Sequence, residues 1–482
     1  MFNATRGAIR LCRIVYALLT YGVLPGTGLL ARRLRDPSYG RRVYLCLKSL
    51  GPTFIKFGQS LSARVDVVGE DVAENLLLMC DQLPPFPYSD VVAIIEGQFH
   101  KKMGDIFLEF AEEPIAAASI AQVHKARTLD GKLKAVKVLR PGVEAQFASD
   151  INLMKKIAEI SRALGIFTRF KLPELVETFS NICKLELDLR FEAANADELR
   201  KNLLDDAANF YIPSVDWKHT SRRVLTLEWI DAVPIHKVGT LCNREELAKK
   251  LIVSFCNQVY RDRFFHADMH PGNLMVDANG RIVAVDFGIM GRLNGETCFF
   301  ITEIFLGFLN RDYKRVAEAH YEAGYVPSRH DDFITACRAI WEPIADVDAQ
   351  SFSIAELLAQ LFKITADFNM SVQPQLLLLQ KTMVLVEGMC RQLAPDMNFW
   401  KVAELWVKEH YQRDGYVERL RKSKAFRSAV RVRSFVSKVN RCMDAVISYE
   451  EKLQSQRRGS NARYVVFLII ITMLLGIVIY LK

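Results

Sequence analysis

Residues 264–293 read FFHADMHPGNLMVDANGRIVAVDFGIMGRL. Residues 273–276 and 281–285 run apolar or alternate on either side of Asp277-Ala-Asn-Gly280, the pattern of a β-hairpin closed by a glycine-bearing turn. His266, Asp268 and Asn273 precede the first strand and Asp286 ends the second, so the hairpin brings two carboxylates and an amide to neighbouring strand ends. Hard oxygen ligands of this kind suit Mg²⁺. Phosphoryl transfer needs such ligands together with a cation on the phosphates and an aspartate near the acceptor. His266 and His270 invite a His-x-Asp-x-His metal centre, but no further histidine cluster completes a zinc shell.

The cation is found upstream. Residues 120–127, Leu129-Asp130-Gly131-Lys132 and residues 133–139 predict another hairpin, closed by an Asp-Gly turn. Period-two alternation places Leu133, Ala135, Lys137 and Leu139 on one face, so Lys137 stands in an otherwise apolar row and requires a carboxylate partner. Lys132 and Lys134 fall on the other face and are expected to be solvated. Residues 173–203 predict one long helical region in which Asp188 and Glu192, four apart, share a side while Glu186 points elsewhere. Residues 211–215 and 223–230 (RVLTLEWI) read as two more strands, and Asp231-Ala-Val-Pro234 as a break between lobes. Asn243-Arg-Glu-Glu246 then resembles a capping box opening an amphipathic helix with Leu247, Leu251, Phe255 and Val259 on one face. Ala-Val-Lys137, Asp268-x-x-x-x-Asn273 and Asp286-Phe-Gly288, in that order with hairpins between them, are the working parts of a protein kinase. The expected fold is therefore α+β, bilobal and protein-kinase-like. Residues 40–105, including 41–65, show helical periodicity and form an N-terminal helical extension, and the chain beyond residue 297 reads as helical to about 446.

Composition adds a membrane to this picture. The 482 residues are 50% hydrophobic, enough for a sizeable core, and the net charge of +9 is uneven. Residues 413–463 alone hold 14 Lys/Arg against 5 Asp/Glu. They run into residues 464–481 (YVVFLIIITMLLGIVIYL), which carry no charge and have the length of one transmembrane helix. Arg457, Arg458 and Arg463 on its N-terminal side put the bulk of the chain on the cytoplasmic side of an inner membrane, where the basic residues attract anionic headgroups. At the other end, Arg6, Arg10 and Arg13 precede any acid, which predicts a basic helix lying on the bilayer; a mitochondrial presequence or an ordinary first helix fits the same pattern. The ten scattered cysteines form no CxxC pair and read as reduced thiols. No feature points to nucleic acid.

Four segments carry a family resemblance over nearly the whole chain: Lys56-Phe-Gly58-Gln59, Pro114-Ile-Ala-Ala-Ala-Ser119-Ile-Ala-Gln-Val-His124, Glu186-Leu-Asp188 and His266-Ala-Asp268-Met-His-Pro-Gly-Asn273. With them the sequence resembles the UbiB family of atypical kinase-like proteins, associated with ubiquinone biosynthesis. The resemblance implies a pair between Lys137 and Glu192, and another between Lys56 and Glu186 that plugs the cleft where ordinary kinases accept a peptide; Gly58, Gln59 and Asp188 belong to the same regulatory set. It implies ATP or ADP with Mg²⁺ as ligands, Asp268 as catalytic base and Asn273 with Asp286 on the metal. Ala116, Ala117, Ala118 and Ser119 stand where ordinary kinases carry a glycine-rich loop, and join Glu228 and Ile230 in the nucleotide site. Alanine resists positive φ, so this backbone cannot cradle phosphates as glycine does; in the family the loop is understood to favour nucleotide binding without protein phosphorylation. Two departures stand out. The chain has one apolar tail segment where bacterial relatives commonly have two, and Asp268-Met-His replaces Asp-Pro-His.

The expected organisation is thus a basic helix and helical extension over 1–110, a kinase-like N-lobe over 111–231, a C-lobe with helical extension over 232–460 and an anchor over 464–481. The expected activity is that of a membrane-tethered ATPase or small-molecule kinase, with quinone-biosynthesis enzymes or polyprenyl-phenol intermediates and the lipid bilayer as partners. A non-catalytic, nucleotide-gated scaffold and a conventional protein kinase are the alternatives.

Overall fold

The computed structural model describes residues 2–23, 38–62, 68–79, 83–163, 172–206, 209–239, 242–326, 331–345, 368 and 374–414. The apolar segment 464–481 lies outside the described residues, among which no helix is long and apolar enough to cross a membrane. In chain order the elements are α1 (Phe2–Thr20), α2 (Tyr39–Ser49), α3 (Pro52–Ser62), α4 (Glu70–Leu77), α5 (Tyr88–Phe99), β1 (Phe107–Phe110), β2 (Ala116–Ala117), β3 (Ala121–Thr128), β4 (Leu133–Leu139), α6 (Val143–Ala163), α7 (Leu172–Glu186), α8 (Leu189–Asn202), β5 (Phe210–Tyr211), β6 (Val224–Glu228), β7 (Ala232–Pro234), α9 (Arg244–Cys256), β8 (Phe264–His266), β9 (Leu274–Asp277), β10 (Ile282–Ala284) and β11 (Met290–Arg292). They are followed by α10 (Gly295–Leu309), α11 (Tyr313–Glu322), α12 (Asp331–Ala345), α13 (Pro374–Leu393) and α14 (Phe399–Asp414). Two compact units result, one of residues 1–293 with 373–403 and the other of 294–372 with 404–482.

The first unit is built on an antiparallel sheet ordered β1-β3-β4-β6, with β2 paired to β3. The β3–β4 hairpin forms where the Asp-Gly turn predicts it, with Gly131 at φ +81° and Val123 opposite Lys137. One face of this sheet is sealed by α5, whose Val91 and Ile95 pack on Val136, Val138 and Val224, all fully buried. Lys134 shares that inward face. It is buried and pairs with Asp216 at 3.2 Å, not solvated as alternation predicts, because β4 is covered on both sides. The second sheet is ordered β5-β10-β9-β7, with β10 parallel to β5 and antiparallel to β9. Gly280, at φ +69°, closes the β9–β10 hairpin. The side chain of Asn243 accepts hydrogen bonds from the Glu245 and Glu246 N–H groups and so caps α9, which buries Leu247, Leu251 and Phe255. A π-helical turn, Asn257–Arg261, extends it and delivers the chain to β8.

Two helical stretches are divided where periodicity alone reads them as continuous. Residues 41–65 fold back at Gly51, whose φ is +93°, and restart at Pro52, a residue suited to the first helical position. Residues 173–203 break at Leu187-Asp188, where the Asp188 carboxylate caps α8 by accepting from the Arg190 N–H. Periodicity cannot see a cap. The N-terminal helix also departs from expectation: Arg10 faces inward, donating to both oxygens of the buried Asp150 at 2.7 and 2.8 Å and to the Leu50 carbonyl. Ile14 and Ala17 are buried beside it, whereas Ile9, Leu11, Val15, Tyr16 and Leu19 are exposed. The outer side of α1 is therefore more apolar than basic.

In the second unit α11 packs between α10 and α12. His320 lies among the rings of Tyr325 and Phe333, and its Nδ1 donates to the Val316 carbonyl at 2.8 Å. Burial pushes its imidazole down to about 4.

Two outcomes follow from these contacts. Asp150→Ala, which strands the Arg10 guanidinium against a buried surface, should destabilise the protein by about 3 kcal/mol in urea unfolding. Because the unfolded imidazole titrates near 6.5 and the folded one near 4, the His320 contribution is complete above about pH 6.5 and lost as pH falls towards 4, on the order of 3 kcal/mol. His320→Gln should flatten that limb of the stability–pH curve.

Candidate active site

The site starts from the charge that β4 cannot avoid burying. Lys137 points from the sheet face opposite α5, and its Nζ donates to both carboxylate oxygens of Glu192 on α8, at 2.7 and 2.9 Å. Asp188 makes this contact reachable: by ending α7 and restarting the chain as α8, it sets Glu192 in the first turn of a helix packed on β6. The same Nζ reaches Asp286 Oδ2 at 3.3 Å, just past β10. Burial alone would depress the Lys137 amine, but the Asp286 and Glu192 carboxylates outweigh it and hold the ammonium well above its ordinary range. For Asp286 the surrounding protein would raise the carboxyl, yet Lys137, the Gly288 N–H and the Lys56 charge outweigh that and keep it far below the usual carboxylate range. The side chain of Asp286 is still 42% exposed, so an ionised oxygen faces the cleft.

The loop between β8 and β9 supplies the rest. The Asp268 N–H donates to His266 Nδ1 at 3.1 Å, and the buried His266 ring lies 5.9 Å from the ring of Phe287, which ties this loop to the Asp286-Phe-Gly turn. Burial lowers the His266 imidazole, keeping it neutral in that role. Asn273 Nδ2 donates to the Asp268 carbonyl at 3.1 Å and to Asp268 Oδ2 at 3.4 Å. With its amide nitrogen engaged there, Asn273 turns Oδ1 elsewhere, free to serve as a neutral oxygen ligand beside the ionised Asp286. One carboxylate and one amide are a sparse set, which suits Mg²⁺, an ion that keeps several waters and takes its other ligands from phosphates. Among the described residues no group of three or more His, Cys, Asp or Glu side chains could hold a metal, so His266 and His270 form no zinc shell with another such residue.

The remaining candidates divide between the cleft and its supports. Lys56 on α3 pairs with Glu186 at the end of α7 at 3.5 Å, both side chains nearly buried, and its charge reaches Asp286. A Cβ on Gly58 would come within 2.6 Å of Met79 Sδ, so α3 lies tight against Met79, two residues past the end of α4. Gln59 Nε2 fastens the same junction by donating to the Met79 carbonyl at 3.1 Å. Ala116 and Ala117 pair with Val123 and Gln122 as β2. Ala118 closes the turn, its N–H donating to the Ala121 carbonyl at 2.8 Å while its own carbonyl accepts from Arg140 Nε and Nη2. Ser119 is fully buried with its hydroxyl unpartnered. The loop is thus a short strand and a tight turn in which the N–H and carbonyl of Ala118 are both engaged within the protein. The Glu228 carboxylate is engaged by its neighbours, accepting from the Tyr211 hydroxyl, the Ser214 N–H and the Ser214 hydroxyl. Asp188, engaged by Arg190 Nε and Nη2 at 2.9 and 2.6 Å, acts through α8 rather than in the cleft.

Two contributors escape sequence reasoning. Asn195 Nδ2 on α8 donates to the Phe287 carbonyl at 3.0 Å and ties that helix to the Asp286 turn. Lys381 on α13 donates to Asp268 Oδ1 at 2.8 Å. The signal for Lys381 was present, since it sits in the apolar run LLLLQKTMVLV much as Lys137 sits in its strand.

With this geometry in hand, comparison with known proteins gives a consistent result. A family model described as the ABC1 atypical kinase-like domain matches residues 78–320, and one described as the UbiB helical domain matches residues 337–398. The chain is 40% identical over 398 residues to a "Probable protein kinase UbiB" of Marinobacter nauticus, covering 80% of this chain and 73% of that one. A protein of the same description from Aeromonas hydrophila is 40% identical over 435 residues, covering 84% and 80%. Among solved structures, that of Rv3197 from Mycobacterium tuberculosis in complex with erythromycin superposes with a TM-score of 0.54 at 26% identity, covering 67% of this chain and 84% of that one. A kinase-like domain followed by a UbiB helical domain, in a chain so similar to these relatives over most of its length, makes this protein a member of the ABC1/UbiB family of atypical kinase-like proteins.

Proposed function

We propose that the protein is a membrane-anchored UbiB-type atypical kinase or ATPase that binds Mg-ATP or Mg-ADP and supports ubiquinone, or more broadly polyprenyl-quinone, biosynthesis. One observation carries the nucleotide reading: a buried ammonium, Lys137, held by Glu192 at 2.7 Å beside the ionised Asp286 at 3.3 Å. Such a cluster presents a fixed cation to phosphate oxygens and a hard anion to a metal. When bound, Mg²⁺ supplies charge neutralisation on the phosphates. Asp286 and Asn273 hold it, Lys137 binds the phosphates, and Asp268 takes the acceptor proton. The closed alanine turn and the nearly buried Lys56–Glu186 pair oppose entry of a peptide and favour water or a small acceptor, with polyprenyl-phenol intermediates as the class that the family resemblance implies. Residues 464–481 supply the anchor, and the exposed apolar residues of α1 support a second contact with lipid.

Purified protein should turn over ATP slowly in the presence of Mg²⁺, and Asp286→Asn should lower that turnover by about 100-fold or more. Equal turnover in the variant would remove Asp286 from the metal site and the enzyme reading with it. A scaffold that uses nucleotide only as a conformational ligand is the second reading, favoured by the same alanine turn. Complementation of a quinone-deficient strain separates the two: the Asp268→Asn, Asp286→Asn double variant should fail to restore quinone if the protein is an enzyme and succeed if it is a scaffold.

A further inference from the structure

We propose that Lys381 of α13 is a positioning residue of the phosphoryl-transfer centre, supplying from the UbiB helical domain the permanent cation that the loop around Asp268 lacks. The inference rests on the enzyme reading above. The loop Asp268-Met-His-Pro-Gly-Asn273 contains neither lysine nor arginine. His270 is turned to its own loop: its Nδ1 accepts the Gly272 N–H at 3.0 Å, and its Nε2 stands 3.8 Å from Asp268 Oδ2, beyond hydrogen-bond distance. Lys381 Nζ, 113 residues away in sequence, takes Asp268 Oδ1 at 2.8 Å, while Asn273 Nδ2 takes Oδ2 at 3.4 Å. Each oxygen of the base thereby has its own donor, and the carboxylate plane is set from two directions. Both side chains of the ion pair are about one-quarter exposed, so the charge acts in a partly desolvated cleft.

Proton transfer to a positioned carboxylate is sensitive to its orientation. In the step envisaged, the acceptor oxygen forms a bond to the γ-phosphorus as the bond from that phosphorus to the β,γ-bridging oxygen breaks. The bridging oxygen leaves with the electron pair on ADP, and the acceptor proton passes to Asp268. Lys381 keeps its own proton throughout and offsets the negative charge beside the base. A purely structural role fits less well, because α13 is already held against α9 by other groups. Thr382, Val386, Met389 and Cys390 are buried, and Cys390 Sγ donates to the Ala248 carbonyl at 3.7 Å. The consequence is that turnover depends on the seating of α13.

The test uses the full chain with Mg-ATP, measuring nucleotide affinity by calorimetry and steady-state turnover in parallel. Lys381→Gln should lower kcat by about 10- to 100-fold with ATP affinity and KM unchanged within about twofold, and Lys381→Arg should restore most of the loss. Combining Lys381→Gln with Asp268→Asn should add little to the effect of Asp268→Asn alone, as expected for groups that act together. A wild-type kcat in Lys381→Gln, or an equal loss in Lys381→Arg, would overturn the assignment. Failure of the underlying reading looks different: unsubstituted protein without Mg-dependent turnover, or Asp286→Asn with unchanged turnover, would overturn both.

Discussion

The contact on which the rest of the structure depends is the one between Lys137 and its two carboxylates. A charged amine on the covered face of a central strand is costly unless it is met by fixed anions, and meeting it determines where several other elements lie. It draws α8 against β6 so that Glu192 reaches across, and it draws the end of β10 towards β4 so that Asp286 does the same. Asn195 then holds the Phe287 carbonyl, and the Phe287 N–H faces Glu192 Oε1 at 3.5 Å, so the turn is bound to the helix by more than charge. The cluster is a folding constraint, and the charges that satisfy each other within it are those that the proposed Mg-nucleotide would recruit.

Around that centre the molecule departs from an ordinary kinase in a consistent direction. The alanine turn engages its Ala118 N–H internally, and a lysine from the N-terminal helical extension adds positive charge near Asp286. The helical extension is firmly built: Gly58 brings α3 onto Met79, Gln59 ties to the same residue, and Tyr44, Ile55, Val72 and Leu76 form a small core of their own. A segment with its own core is held in place independently of the sheet.

Helix α13 gives a further contact. Asp268 is shared between its own loop and α13, so the surroundings of this carboxylate are completed by an element far removed in sequence. Charge is distributed with the same economy at the N-terminus, where Arg10 is drawn inward by Asp150 and leaves an outer side of α1 that is largely apolar. Attraction between such a surface and a bilayer would be hydrophobic first, with the basic residues of 413–463 adding electrostatic attraction.

What the sequence determined by itself was local. The two hairpins at Asp130-Gly131 and Asn279-Gly280, the alternation that isolates Lys137, the Asn243 cap and the ordered Asp268, Asn273 and Asp286 were all legible, because turn chemistry and side-chain period act over a few residues. Tertiary structure alone decided which polar groups would meet. Periodicity made one helix of residues 173–203 that a capping aspartate divides and made Lys134 solvated when it is buried on Asp216, and the charge pattern of the first residues did not show that Arg10 forms an internal ion pair. Periodicity also left Lys381 in a run of core leucines rather than on Asp268. The physical reason is the same in each case: a buried charge must find an opposite charge or a hydrogen-bond partner, and that partner is chosen by chain packing across tens to hundreds of residues, a distance over which local pattern carries no information.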